Sequence, residues 1–221
     1  TKGLRVEIAA EAGCRVLQPV ALWMHKQQAR RASSVELEPI LAPALIEIGY
    51  RGTAREFLCA VRDGTGLLTG WSADQFGFMH LSFQEYLTAR ELRRLGQEGD
   101  QTAWQALAEG YGKSWWQEVL LVVFALGDPT GFVDLMRLVL ARESFAMHSE
   151  LLELICDEAP DVSELPFVEL VRQTPGDDRE LWSRQLTALR FLVARSRSSF
   201  DSVAGSLRQH PFDELRSYVR E

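Results

Sequence analysis

Cysteine is scarce in this sequence, with three residues, Cys14, Cys59 and Cys156, among 221. They lie far apart and none forms a CxxC pair. The four histidines, at positions 25, 80, 148 and 210, are not spaced as metal ligands. A disulfide framework and a zinc-type centre are therefore excluded as organising features. Each cysteine sits near apolar residues in a helical pattern, which predicts buried free thiols in a reducing compartment, the cytoplasm. No apolar run reaches the roughly 18 residues a membrane span needs. The first residues lack a basic region followed by an apolar one, so no secretory leader is read there. The chain also opens Thr1-Lys2-Gly3 without an initiator methionine, and a piece of a longer protein is expected.

What is present is ordinary for a globular chain: 46% apolar, 10% aromatic and 25% charged residues. That composition excludes collagen-like, low-complexity and wholly disordered classes, and the length allows one large or two small domains. The net charge is −7, from 24 basic and 31 acidic side chains, so a nucleic-acid partner for the whole surface is not expected. The charge is uneven. Residues 1–100 carry 12 basic and 12 acidic groups, whereas residues 101–221 carry 12 and 19. Two units are expected, 1–98 and 99–221, separated at the loop Gly96-Gln97-Glu98-Gly99-Asp100. A second loop is read at Pro175-Gly176-Asp177-Asp178.

In the first unit, Ser33 with Glu36, Thr53 with Glu56 and Ser82 with Glu85 fit the capping box S/T-x-x-E. Helices are expected at about 13–28, 34–48, 53–63 and 82–95, the second starting at Pro39 or kinking because of Pro39 and Pro43. Between the third and fourth, two short apolar runs from Gly66 to His80 flank a Gly/Ser/Asp turn, which signals a hairpin. Three helices, a hairpin and a closing helix make a winged-helix-like subdomain.

The second unit reads as wholly helical. Trp116, Val119, Leu120, Val123 and Phe124 recur at i, i+3, i+4, i+7 and i+8, and Phe132, Leu135, Met136, Val139 and Leu140 repeat the pattern after the break at Asp128-Pro129-Thr130. Further stripes fall at Leu151/Leu154/Ile155, Phe167/Leu170/Val171, Trp182/Leu186/Leu189/Val193 and Phe212/Leu215/Val219. Short helices with modest loops suggest stacked α-hairpins of HEAT or armadillo type, with an irregular bundle as the alternative. The fold class is thus mainly α.

Little catalytic chemistry is legible. Gly112-Lys113-Ser114 resembles the end of a phosphate loop, but Leu107 stands where its first glycine belongs and no strand precedes it. Ser114 reads better as a helix N-cap with Gln117. No G-x-S-x-G exists and no nucleophile–base pair can be argued. Asp157, Glu158 and Asp161 read as a solvated helix end, and His25, His148 and His210 as helix-end or surface residues. His80 stands apart. It closes the second hairpin strand just before the expected cap Ser82, and a strand-to-helix junction can project a side chain toward a ligand. A buried or capping histidine is the alternative reading of the same spacing.

The run Gly66-Leu67-Leu68, then Phe76-Gly77-Phe78-Met79-His80-Leu81-Ser82-Phe83-Gln84-Glu85-Tyr86-Leu87-Thr88-Ala89, resembles the closing segment of NACHT-type NTPases of the STAND class. The family pattern is sGLL, a variable turn, then F-x-F-x-H-x-S/T-F-Q-E-Y-x-x-A. Pro19 to His25 and Glu36 to Leu41 resemble more loosely the first part of that family's winged-helix subdomain, so that the resemblance covers about residues 10–95. Trp115-Trp116-Gln117-Glu118-Val119 resembles the start of the helical repeats that commonly follow.

The resemblance implies that His80 reaches the phosphates of ADP bound in an upstream nucleotide-binding domain of the same chain. It implies a latch on the inactive state, released when ATP replaces ADP so that a homo-oligomer can form. Phe83, Tyr86 and Leu87 are read as the helix face holding the hairpin, Phe76 and Phe78 as core, and Glu85 as part of a capping box. The Walker A lysine, the Walker B acids and the adenine-binding segments are absent from the 221 residues. This chain is therefore expected neither to hydrolyse nor to bind a nucleotide tightly by itself, with ADP or ATP and Mg as cofactors of the parent only. The implied parent is a cytoplasmic ligand-sensing ATPase of the kind used in bacterial defence. The 21 arginines against 3 lysines fit a high-GC bacterial source. The acidic repeats would offer a surface for a protein partner. A DNA-binding winged helix with a helical effector domain is the alternative, although the wing Trp71–Gln75 holds no Arg or Lys and Asp74 is acidic. A plain helical scaffold, with His80 a core residue, is the third reading.

Overall fold

A computed structural model of the chain describes residues 10–72, 74–174, 178–208 and 210–218. The expected loop residues Pro175, Gly176 and Asp177, the wing residue Ala73 and the stripe residue Val219 lie outside the described residues. Among the described residues the fold is mainly α, with thirteen α-helices and one three-stranded antiparallel sheet. The chain divides into two compact units, residues 1–94 and 95–221. The division falls in the last turn of the helix Leu81–Gln97, slightly before the loop in which the sequence reading placed it.

The first unit runs α1 (Ala10–Lys26), β1 (Ala32–Ser33), α2 (Ser34–Glu47), α3 (Ala54–Thr65), β2 (Leu68–Ser72), β3 (Gln75–Phe78) and α4 (Leu81–Gln97). Two capping boxes form as expected. Ser33 Oγ accepts the Glu36 N–H at 3.2 Å while the Glu36 carboxylate accepts the Ser33 N–H at 2.8 Å. Thr53 and Glu56 do the same at 3.1 and 2.7 Å. The first box corrects one expectation: α2 starts at Ser34 and continues through Pro39 and Pro43. The capped first turn and the buried row Leu37, Leu41 and Leu45 hold it together despite the backbone donors the prolines lack.

The third expected box does not form in that way. α4 begins at Leu81, so Ser82 lies inside its first turn and cannot be the N-cap. The sheet has the order β1-β3-β2. Phe76 pairs with both Ala32 and Gly70, and Phe78 with Leu68. The two-residue β1 was not legible as a strand. Phe76 and Phe78 are buried, as expected of one strand face, and pack in the core with Leu17, Met24, Leu41, Phe57, Leu58 and Leu87.

The second unit contains α5 (Gln101–Gly110), a 3-10 turn at Ser114–Trp116, α6 (Gln117–Ala125), α7 (Pro129–Leu140), α8 (Ser144–Met147), α9 (Ser149–Glu158), α10 (Leu165–Arg172), α11 (Arg179–Arg195), α12 (Arg197–Leu207) and α13 (Asp213–Ser217). α5 packs on α7, α7 on α10 and α10 on α12, while α6 packs on α9 and α8 on α11. Consecutive α10 and α11 also pack together, as an α-hairpin does, and the skipping contacts line up α5, α7, α10 and α12 in one row. Asp128 caps α7, its carboxylate accepting the Gly131 N–H at 3.2 Å. The stripes in α7 and α10 are buried as read; of the one assigned to α6, Val119, Leu120, Val123 and Phe124 are buried while Trp116, in the 3-10 turn before the helix, is only half-buried.

Four expectations change in this unit. Ser114 caps nothing, because a 3-10 turn starts there and α6 only begins at Gln117. In α9, Leu154 is exposed while Leu151, Leu152 and Ile155 are buried. In α11 the buried row is Leu181, Gln185, Ala188, Leu189 and Leu192, with Val193 exposed. His210 is buried, as is His25 in the first unit. Of the cysteines, Cys156 is buried, whereas Cys14 and Cys59 are only half-buried.

Candidate functional site

β3 ends at Phe78; its first residues, Gln75 and Phe76, pair on both sides, and its last, Gly77 and Phe78, pair with β2. The chain then turns into α4 through Met79 and His80. The Met79 N–H donates to the Leu67 carbonyl at 2.9 Å, and the His80 carbonyl accepts the Phe83 N–H at 3.2 Å. Both ends of this short junction are thus tied to regular structure. His80 is exposed. Its ring lies 5.7 Å from the Phe83 ring, centroid to centroid, and the two planes are tilted by 55°. Phe83 packs in turn against the core. The imidazole is therefore steadied on one side and open to solvent on the other.

α4 has two distinct faces. Outward, Tyr86 is 42% exposed, and the Arg90 guanidinium lies 5.9 Å from its ring centroid. From Met79 to Arg90, every residue that is not buried is neutral or basic; the one carboxylate in this run, Glu85, is buried. Inward, Leu87, Ala89 and Leu92 are buried together with Gln84, Thr88 and Glu91. Glu91 accepts two hydrogen bonds from Arg94, at 2.8 and 3.0 Å. Of the expected row Phe83, Tyr86 and Leu87, then, only Leu87 is fully inside and Tyr86 faces water. Buried glutamine, threonine and glutamate occupy positions that a hydrophobicity pattern assigns to the surface.

Residues 3–92 match the family model described as the winged helix-turn-helix domain C-terminal to NACHT. This segment is a NACHT-associated winged-helix domain. No curated protein matches the chain.

In this winged-helix domain the hairpin β2–β3 is the wing, and α3 is the second helix of the helix-turn-helix, the one that DNA-binding versions of the motif place on the duplex. The wing carries Asp74, whose carboxylate lies 3.7 Å from Arg55 at the start of α3. Arg62, also on α3, pairs with Asp63 at 2.8 Å, and its guanidinium covers the Phe76 ring. Both cations of α3 thus face carboxylates.

The remaining candidates resolve plainly. Gly112-Lys113-Ser114 follows a helix and leads into the 3-10 turn, so no strand–loop–helix cradle for a phosphate exists there. Asp157, Glu158 and Asp161 are exposed. Among the described residues no group of three or more His, Cys, Asp or Glu could hold a metal ion. Among the same residues no helix is long and apolar enough to cross a membrane.

Proposed function

We propose that residues 10–97 are the latch of a nucleotide-switched NACHT-type ATPase, with His80 as the group that touches the nucleotide. The observation that carries this reading is the exposed imidazole at a tied strand-to-helix junction, inside a domain of a family named for its place C-terminal to NACHT. An imidazole N–H can donate a charge-assisted hydrogen bond to a phosphate oxygen. The carboxylate-free outward face of α4 favours an anionic ligand beside it. Among its own residues the chain offers this one contact and no glycine-rich phosphate cradle, so the nucleotide-binding domain must supply the rest of the site.

In this proposal, ADP held by an upstream domain of the same polypeptide bridges to His80 and keeps the winged helix docked. Exchange for ATP changes the phosphate end, removes that bond and frees the winged helix, so that the protein can assemble. The helical unit acts as sensor or relay, its stacked hairpins offering an extended surface to a protein partner. The setting is a cytoplasmic ligand-sensing system such as bacterial antiviral defence. In this proposal hydrolysis and Mg binding belong to the nucleotide-binding domain, and no catalytic role is assigned to the winged helix or the helical unit.

The test is His80→Ala in the full-length protein, with nucleotide content measured after purification and basal activity measured without ligand. Reduced ADP retention or constitutive activation is expected. Wild-type values for both would overturn the latch. A DNA-binding role is served poorly by an α3 whose Arg55 and Arg62 face Asp74 and Asp63. Tight, salt-sensitive binding to duplex DNA in a low-salt gel-shift would favour that role instead.

A further inference from the structure

Gln185 is fully buried in the middle of α11. Its Nε2 donates to the carbonyls of Leu170 and Gln173, at 3.1 and 2.9 Å, at the end of α10. These two bonds fix the amide orientation and aim Oε1 at His210, whose Nε2 lies 3.0 Å away. Oε1 can only accept, so the proton of the imidazole sits on Nε2. The other ring nitrogen, Nδ1, accepts the Phe212 N–H at 3.1 Å. Every polar position of the pair is satisfied, and only for a neutral imidazole. A second proton would have to enter at Nδ1, where the Phe212 donor already points.

The surroundings also oppose a cation. His210 is buried. From α13, the Arg216 guanidinium donates to the His210 carbonyl at 2.7 Å. The carboxylates of that helix are engaged elsewhere: Asp213 pairs with Arg216, and Glu214 with Arg190 of α11 at 2.9 Å. From α10, Arg172 donates to the Ser202 carbonyl of α12 at 3.0 Å, and Arg208 after α12 is exposed. The ring thus meets an amide, a backbone donor, the Trp182 ring edge-on at 6.2 Å and a nearby guanidinium, and no carboxylate hydrogen bond or ion pair to it is found among the described residues. Burial is the largest influence and lowers its pKa from 6.5; the contact with the Phe212 backbone acts in the other direction, and the Arg216 charge adds a smaller lowering.

We infer that the Gln185–His210 pair is an acid-released clasp, in which the neutral imidazole holds residues 210–218 on α11 and protonation lets that segment go. The remaining attachments are of the kind a clasp would hold in register. Phe212 stacks on Trp182 with centroids 5.5 Å apart, Leu215 is buried, and Arg190 reaches the Tyr218 hydroxyl at 3.3 Å. The sign follows from linkage. A histidine whose folded-state pKa is lowered favours the docked form fully above 6.5. That preference is lost as pH falls below 6.5 toward the lowered value. Free aspartate and glutamate titrate at about 4, below this window; on α11 itself, Glu180 is held above its ordinary value by the neighbouring Glu143 carboxylate.

The experiment is amide hydrogen exchange on the 221-residue chain between about pH 7.5 and 5.5, with an NMR titration of the His210 ring; the window brackets the ordinary histidine value. Protection of residues 212–217 is expected to fall by up to about tenfold per pH unit below that value, after correction for intrinsic rates. The ring is expected to titrate below 6.5. In His210→Asn, whose amide oxygen can still accept the Phe212 N–H, the acid dependence is expected to vanish. Unchanged protection at the lower pH, or a ring titrating at or above its ordinary value, would overturn the clasp. So would the same acid loss in His210→Asn. The ring titration of the unmutated chain decides the matter even where the variant folds poorly.

Discussion

The carboxylate of Asp74, in the turn between β2 and β3, accepts a hydrogen bond from the hydroxyl of Ser34 in the first turn of α2. Ser34 is buried, and the same Asp74 oxygen faces Arg55. One acidic side chain thus ties the wing to two helices.

Removing that acceptor should loosen the wing. Asp74→Ala leaves the Ser34 hydroxyl without its carboxylate and is expected to cost about 1–2 kcal/mol in chemical denaturation. Asp74→Asn keeps an acceptor and should stay within about 0.5 kcal/mol of wild type, because the exposed pair with Arg55 contributes little. Hydrogen exchange over residues 68–78 should speed up in the alanine variant alone. Equal losses in both variants would assign the tie to charge rather than to the hydrogen bond.

The capping boxes make the first unit sensitive to acid. The backbone N–H and hydroxyl of Ser33 hold the Glu36 carboxyl below its ordinary 4.5, and Thr53 does the same for Glu56. A lowered folded-state pKa gives stability that is present above 4.5 and lost as pH falls through the lowered value. Glu36→Gln and Glu56→Gln should each flatten the stability profile in that acid range while changing little at pH 7. Denaturation midpoints across a pH series read this directly.

Two glycines in helices should respond oppositely to alanine. A Cβ on Gly96 would lie 2.2 Å from the Trp104 ring, whereas one on Gly64 meets nothing within 4 Å. Gly96→Ala is expected to lower the stability of the second unit by about 1–3 kcal/mol through overpacking. Gly64→Ala in α3 is expected to stabilise by roughly 0.5–1 kcal/mol through backbone propensity. Thermal unfolding compares them, and indole fluorescence should change only in the first.

The thiols should differ in reactivity. Cys156 is buried in α9, and burial pushes its pKa up to about 11. Thiolate is the reactive form. Cys156 should therefore escape alkylation at pH 8 until the protein is unfolded, while half-buried Cys14 and Cys59 react first. Mass spectrometry of a timed labelling reaction would show the order, and early modification of Cys156 would contradict it.

Where the apolar pattern is regular, the sequence reading and the structure coincide. Phe132, Leu135, Met136, Val139 and Leu140 are buried in α7 as their spacing requires, and two of the three capping boxes form. The reading slips where a polar residue goes inside. In α11 the apolar spacing points to Trp182, Leu186, Leu189 and Val193; of these Leu189 is buried, but the buried row runs through Leu181, Gln185, Ala188 and Leu192 beside it. Gln185 can be interior because the carbonyls of α10 and the ring of His210 satisfy it. Those partners are 12 to 25 positions away in sequence. Gln84, Thr88 and Glu91 of α4 are buried too, but on other terms: Glu91 is satisfied by Arg94 of its own helix, while Gln84 Nε2 and Thr88 Oγ1 meet no hydrogen-bond partner among the described residues. β1 escaped notice because two residues carry no period of their own; its identity as a strand comes from pairing with β3.

Local pattern accounts for the hairpin, the charge division, the motif around His80 and most of the helices, though not α5, α8 or α12, because capping, period and turn chemistry act between neighbours a few residues apart. Tertiary structure decided which of those side chains face water. It left His80 and Tyr86 exposed on α4 while burying His25 and His210. It also made Asp74, an acidic wing residue that already argues against DNA phosphate contacts, a tie between the wing and two helices. Burial and hydrogen-bond partnership depend on residues brought together across the chain, and no local pattern encodes them.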